Sequence, residues 1–307
     1  MLDITVGILS YNRPLFLAEA LNSVLNQSCK PSRVVVYDNG SNPDLMAGLV
    51  GRLPSGVEWN GVRENQIGVS SLRRVIQNCS TEYFMLLHDD DRLHPDFLRL
   101  QYECLKDNPH LSALSCNGLM MNQFGDNLYK ALMPIGTLNE IEFYRTPHQI
   151  AMKYAKGQCI PMSPAIYKTY QISKIELNDN YGKVTDAVNF CKLVEYGPVG
   201  YHTFPLYDCR VHSMQDSSSI PYATMNELEQ YFWTPKFASD YELVEIRRVL
   251  LRQHSLRNIK EIFRQLHRGD FSAAFTLFLD KRLRLSSLLG GVGAAFRRRL
   301  DSSRDYK

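Results

Sequence analysis

The sequence predicts an α/β fold: a mostly parallel, mixed sheet flanked by helices, followed by a helical C-terminal extension. Three observations carry this. Short apolar runs without polar alternation read as strands covered on both faces. Segments of helical period separate them, and polar clusters stand at the carboxyl ends of the runs.

The elements follow in order. Residues 4–11, ITVGILSY, form an uninterrupted apolar strand. Asn12-Arg13-Pro14 ends it and opens a helix with Leu17, Leu21, Val24 and Leu25 at i, i+4, i+7 and i+8. RVVVYD (33–38) is a second strand, closed by the turn signal Asn39-Gly40-Ser41. Residues 57–63 make a third strand, 69–78 a helix, 82–89 a strand, 95–106 a helix and 110–121 another strand. Beyond these, 165–168 is a short strand, 185–195 a helix, and 199–212 one or two strands. Helical pattern returns at 242–251 and 259–267. Ser217-Ser218-Ser219 is the best candidate for a boundary or a mobile loop, with a domain expected at 1–219 and a helical region at 220–307. In such sheets ligands bind beyond the carboxyl ends of the strands. Tyr11-Asn12-Arg13, Asp38 and Asp89 to Asp91 all fall there, which makes that edge the candidate site.

Composition narrows the class. The 307 residues are 44% hydrophobic and 22% charged, ordinary for a globular chain of one or two domains. The net charge of +3 is uneven: residues 281–307 hold eight basic side chains against Asp301 and Asp305, a net +6, leaving −3 on the rest. An acidic body with a basic tail speaks against nucleic-acid binding and for an anionic surface as the tail's partner. Seven scattered cysteines without a CxxC pair fit neither a disulfide framework nor structural zinc. The N-terminus reads as a strand rather than a signal peptide, and no apolar stretch is long enough to span a bilayer. The expected location is the cytoplasm, at most peripherally on the inner face of the cell membrane.

The stretch FMLLHDDDRLHPDF (84–97) raises a chemical problem: an apolar strand ends in three aspartates, whose mutual repulsion calls for a positive partner. Together with TVGILSYNRP, VVVYDNGSNPD, RENQIGVSSLRR, KVTDAVNFCKLVEYGPVGY and YDCRVHSMQDS, in that order, it resembles a family 2 glycosyltransferase of the nucleotide-sugar-binding, Rossmann-like GT-A fold. The resemblance covers about residues 3–219 and leaves the C-terminal helices outside.

What the resemblance implies can be set out residue by residue. The missing positive partner is Mg²⁺ or Mn²⁺ bridging the donor's diphosphate, ions that take one or two carboxylates and keep phosphate and water oxygens. Asp91 is its direct ligand, Asp89 reaches ribose or sugar hydroxyls, and Asp90 belongs to the donor site. Asp38 accepts a hydrogen bond from the base imide of a UDP- or dTDP-sugar; as a bare turn residue it would need no such role. Tyr11 stacks on the base or packs in the core, and Asn12 or Arg13 lines the pocket. Arg73 approaches the diphosphate or is a solvated helix arginine. Asp186 is the general base, although Thr185 stands where the family commonly has a second acid. His212 ligates the metal or touches the diphosphate. Tyr231 and Trp233 belong to an acceptor site or a core.

The implied reaction is a single inverting displacement onto a hydroxyl of a glycan or lipid-linked acceptor, of the kind used in cell-surface polysaccharide synthesis. Two other readings share the sheet. A sugar-1-phosphate nucleotidyltransferase would need a glycine-rich basic loop that 7–14 does not supply, and a non-catalytic glycan- or nucleotide-binding protein would not need Asp91 and Asp186. Residues 277–300, LFLDKRLRLSSLLGGVGAAFRRRL, alternate apolar clusters with cations, as an interfacial segment does; the alternative is that their leucines pack on the catalytic domain.

Overall fold

The structure is a computed structural model; it describes residues 1–66, 69–177, 185–212 and 240–279. The chain divides into two compact units, Met1–Ile150 with Cys159–Tyr231, and Ala151–Gln158 with Phe232–Lys307.

The first unit is built on one ten-stranded mixed sheet. Its strands are β1 (Leu2–Ser10), β2 (Pro31–Asp38), β3 (Val57–Gly61), β4 (Tyr83–His88), β5 (Arg92–Leu93), β6 (Ala113–Met121), β7 (Asn127–Ala131), β8 (Ile141–Tyr144), β9 (Ala165–Lys168) and β10 (Val199–Arg210). The spatial order is β3-β2-β1-β4-β9-β6-β10-β5, with β7 on β6 and β8 on β10. The first four strands are mutually parallel, as are β6 and β10, and β9 lies antiparallel between β4 and β6.

The parallel part follows from composition. Ile4, Val6 and Ile8 of β1, Val35 and Val36 of β2, and Phe84, Met85 and Leu87 of β4 are at most 1% exposed. Unalternating apolar runs of this kind are stable only when both faces are covered. Helices α1 (Pro14–Leu25), α2 (Pro43–Val50), α3 (Ser70–Gln77) and α4 (Phe97–Asp107) intervene between the strands. Pro14 fits the first turn of α1, where its missing N–H costs nothing, and Leu17, Ala20, Leu21 and Val24 form the buried stripe. Gly7 allows close packing over β1: a Cβ there would stand 3.0 Å from Val75 of α3 and 3.2 Å from the Tyr37 ring. At full burial each such valine, leucine or isoleucine contributes about 1.5–3 kcal/mol.

The register brings the carboxyl ends of the strands level. Ser10 pairs with Asp38, Asp38 with Gly61, and Leu9 with His88. The segments after β1, β2 and β4 therefore leave the sheet side by side. Among the described residues, the remaining helices of this unit are α6 (Thr169–Ile172) and α7 (Thr185–Leu193), while α5 (Pro147–Ala155) carries the chain from the first unit into the second.

The described part of the second unit contains α8 (Asp240–His267) and α9 (Phe271–Phe278). The helical pattern at 242–251 and 259–267 proves to be one helix of 28 residues. The polar bridge, including Ser255, whose hydroxyl donates to the Leu251 carbonyl at 2.8 Å, continues it without a break. Gly269, at φ +78°, makes the turn, and Asp270 caps α9 by accepting from the Ala273 N–H at 2.9 Å. No helix of the described residues is long and apolar enough to cross a membrane. The Ser217–Ser219 boundary, Tyr231, Trp233 and the tail from residue 280 lie outside the described residues.

Candidate active site

The three aspartates leave β4 where β1 and β10 also end, and all three are buried. Each has a different set of partners. Asp89 Oδ2 accepts from the Ser10 hydroxyl at 2.9 Å and the Tyr11 N–H at 3.2 Å, while Oδ1 faces Arg13 at 3.2 Å. The same Arg13 nitrogen lies 3.2 Å from Asp90 Oδ2, which also meets His212 Nε2 at 2.9 Å. Asp91 Oδ1 accepts the Arg210 N–H at 3.2 Å.

Arg210 is the organiser that the sequence reading missed. It is 1% exposed, and its Nε donates to the Asp90 carbonyl at 2.9 Å. Its other nitrogens donate to the Gln123 carbonyl at 3.1 Å and to the Glu19 carboxylate at 2.5 Å, with the guanidinium 4.6 Å from the Phe16 ring centre. Phe16 in turn packs on His212, the ring centres 5.2 Å apart. The protein thus supplies cations of its own, Arg13 and Arg210, to the acidic cluster. They do not neutralise it fully. Burial first and Asp90 second hold the Asp89 carboxyl above its ordinary range, against Arg13, Ser10 and Tyr11. The same two causes push Asp91 well above it.

That residual penalty is what a bound cation would relieve. Ligand atoms of His88, Asp90 and Asp91 lie within 4.8 Å of one another. Two carboxylates and one imidazole suit Mn²⁺ well and Mg²⁺ through the oxygens, so these residues fit the ion that the sequence implied. His88 was inside the quoted motif but was not singled out; its backbone N–H donates to the Ser163 hydroxyl at 2.8 Å. His212 reaches this group through Asp90 rather than standing within it.

Asp186 opens α7, in the first turn, where a carboxylate is favoured by the helix dipole. Its surface is exposed, yet the atoms around it are dense enough to raise its carboxyl above the usual range, with His88 pulling the other way. His88, at the end of β4, is thus a charged neighbour of Asp186.

Asp38 sits at the end of β2, buried, with Oδ1 taken by the Ser41 hydroxyl and the Ser41 N–H. That hydroxyl also accepts the Asn12 N–H at 2.8 Å, and the Asn12 side chain accepts the Asn42 N–H at 2.8 Å. Asn12 adopts φ +56°, a left-handed conformation that asparagine tolerates better than most residues. The loops after β1 and β2 are stapled together in this way. Asn39 ties in the segment after β3 through Asn65 and Gln66. Tyr11, next to Asn12 after β1, is 41% exposed. Arg73 is not among the acidic cluster's partners: it donates to the Leu177 carbonyl at 2.8 Å. Its neighbour Arg74, unremarked in the sequence, donates to the carbonyls of Asp38 and Asn60, both at 3.0 Å, and lies over the Tyr37 ring.

Comparison with known proteins decides the family. The profile described as Glycosyl transferase family 2 matches residues 5–176, more than half of the chain. The chain belongs to glycosyl transferase family 2. A curated relative from Haemophilus influenzae, described as an uncharacterized glycosyltransferase, is 21% identical over 228 residues, covering 70% of this chain and 67% of the relative. Among solved structures, S. aureus TarS 1-349 in complex with UDP-GlcNAc superposes with a TM-score of 0.59 at 16% identity, over 82% of this chain and 72% of that one. The same TarS fragment in complex with UDP gives 0.57 at 18% identity, over 82% and 71%. At these identities the TarS likeness speaks for the fold, which is the GT-A type of glycosyltransferase. This glycosyltransferase keeps its acidic cluster inside the matched region, whereas Asp186, Arg210 and His212 lie beyond it.

Proposed function

We propose that this glycosyltransferase moves a sugar from a UDP-sugar donor to a hydroxyl of a glycan or lipid-linked glycan acceptor, with inversion at the anomeric carbon. The observation that supports the reading is the group formed by His88, Asp90 and Asp91 at the end of β4, with the exposed Asp186 carboxylate under the influence of that same His88. The TarS complexes with UDP and UDP-GlcNAc support uracil as the base. A dTDP-sugar would use the same imide contact.

In this mechanism Asp38 reads the base: Ser41 engages Oδ1, so Oδ2 is the oxygen left to accept the imide N–H. Tyr11 stacks on the base, and Asn12 holds the loop that shapes the pocket. Asp89, set by Ser10 and Arg13, meets the ribose or sugar hydroxyls. Asp91, Asp90 and His88 would hold Mg²⁺ or Mn²⁺, with His212 orienting Asp90. When bound, that ion supplies positive charge for the departing diphosphate. Asp186 takes the proton of the acceptor hydroxyl as its oxygen attacks the anomeric carbon from the side opposite the nucleotide. No covalent nucleophile is required. Polysaccharide assembly is the setting this chemistry fits, and a lipid-linked acceptor would draw the enzyme to a membrane face.

The test is a thermal-shift screen of nucleotide sugars with Mn²⁺, followed by transfer assays with and without chelator. Stabilisation by a UDP-sugar, and transfer that chelator removes and Mn²⁺ restores, are expected. Transfer that proceeds equally in excess chelator would overturn the metal assignment, and binding without transfer or hydrolysis would leave a binding protein.

A further inference from the structure

Arg74, in α3, turns its guanidinium inward against the carboxyl ends of β2 and β3. Nη2 donates to the carbonyls of Asp38 and Asn60, both at 3.0 Å. Nε and Nη1 are buried too, and have no hydrogen-bond partner among the described residues. Beneath the guanidinium lies the buried Tyr37 ring, its centre 5.5 Å away. Burial pushes the guanidinium below its ordinary range, while Tyr37 and Asp38 work against that. Buried donors left unmet weaken a fold, and an apolar side chain would fill the same space without that penalty. Core packing alone therefore gives no reason for an arginine here.

Its two acceptors supply one. They belong to the strand ends beside the carboxylate that reads the base. Asp38 pairs with Gly61 in register, and its carbonyl also accepts the Val62 N–H at 3.1 Å. A Cβ on Gly61 would stand 3.5 Å from Asp38 Oδ2, the oxygen that Ser41 does not engage. The end of β3 thus forms a wall beside that oxygen. Yet β3 is at the edge of the sheet, where β2 is its partner. Towards its amino end this strand pair is clasped by Arg33 and Glu58, with two hydrogen bonds of 2.6 Å. At the carboxyl end Arg74 makes the corresponding tie. Its acceptors are main-chain oxygens, which no side-chain rotation can swing away.

We propose that Arg74 is a positioning residue for base recognition: it ties the end of β3 to Asp38, so that Oδ2 meets the imide N–H of uracil or thymine in one fixed place. This role rests on the donor reading above, in which Asp38 reads the base. Cytosine has no N–H at that position and turns a lone pair towards the carboxylate. The same geometry therefore separates UDP from CDP, since a site built to accept a hydrogen bond rejects the analogue that lacks the donor.

The test is calorimetry on the full chain with Mn²⁺ and UDP, CDP or inorganic diphosphate. Arg74→Met should weaken UDP binding about tenfold or more and leave diphosphate binding unchanged. The preference for UDP over CDP should fall by a similar factor. In transfer assays the loss should appear in the donor KM rather than in kcat. Arg74→Lys keeps a cation that can donate to these carbonyls, and should lie between the wild type and Arg74→Met. It carries the same comparison if the methionine variant does not unfold cooperatively. Unchanged UDP affinity in both variants overturns the proposal. So does an equal loss for diphosphate, which would make Arg74 a general support of the site, and so does an unaltered ratio of UDP to CDP affinity. A wild type that binds no UDP overturns the donor reading itself, whereas a wild type and variants that bind it equally well overturn the role of Arg74 alone.

Discussion

Asp186 carries the sharpest expectation. In Asp186→Asn the turnover number should fall by ~10²–10⁴-fold while UDP-sugar affinity measured by calorimetry stays close to wild type, because proton removal alone is lost. A parallel collapse of donor binding would make the residue part of the donor pocket instead. His88 makes a second case. If its imidazole joins Asp90 and Asp91 around a cation, His88→Ala should weaken Mn²⁺ binding about tenfold or more, read from the free-ion paramagnetic signal without any assay of transfer. Unaltered Mn²⁺ affinity would leave His88 as a neighbour of Asp186 only. These two side chains differed in how visible they were. Asp186 stands in a recognisable run, VTDAVNF, even with Thr185 before it, whereas His88 was hidden beside three more conspicuous aspartates. Arg210 was harder still. A strand-terminal arginine has no signature, and its importance comes from Glu19, Asp90 and Gln123, which only the folded chain brings to it.

The strands show the same contrast between local signal and distant contact. Those with continuous apolar runs, β1, β2, β4 and β6, were plain in the sequence because burial on both faces leaves no other composition open. β7 and β8 were not, since their residues are largely exposed or half-buried and pair only at the margin of the sheet. Two-residue β5 gives no periodicity to detect. α2 could have been read from Asn42-Pro43-Asp44: the Asn42 side chain accepts the Asp44 and Leu45 N–H groups and Pro43 fills the first turn. The pairing of β6 with β10 has its own tight spot at Gly118, where a Cβ would come within 2.5 Å of the Tyr207 ring. Gly118→Ala should therefore lower stability by ~1–3 kcal/mol, measured by chemical denaturation, as overpacking in a filled core does. A shift of only a few tenths would mean that Tyr207 moves aside at little cost.

Acid stability of the catalytic unit should depend on Asp208. Burial alone would raise its carboxyl, but hydrogen bonds from His94 and Arg92 outweigh this and hold it below the ordinary value. A carboxylate depressed on folding contributes stability above its unfolded pKa, and that contribution disappears as pH falls through the folded value. Asp208→Asn should thus be less stable than wild type at neutral pH, by ~1–3 kcal/mol, with the difference shrinking below about pH 4. A constant difference across that range would show that the pair with Arg92 at 2.8 Å is not what titrates. Another property of the unit follows from how far apart its site components lie along the chain. Asp91 and the Arg210 N–H that it accepts are separated by 119 residues, and His212 follows Arg210. On a ribosome adding ~5–20 residues each second, the acidic cluster would wait on the order of ten seconds for these partners. Through that interval Arg13 is the one cation of the finished cluster already made, so the β4 end stays electrostatically open while the sheet around it can assemble. Translation order therefore makes the acidic cluster one of the later parts of this unit to gain its partners.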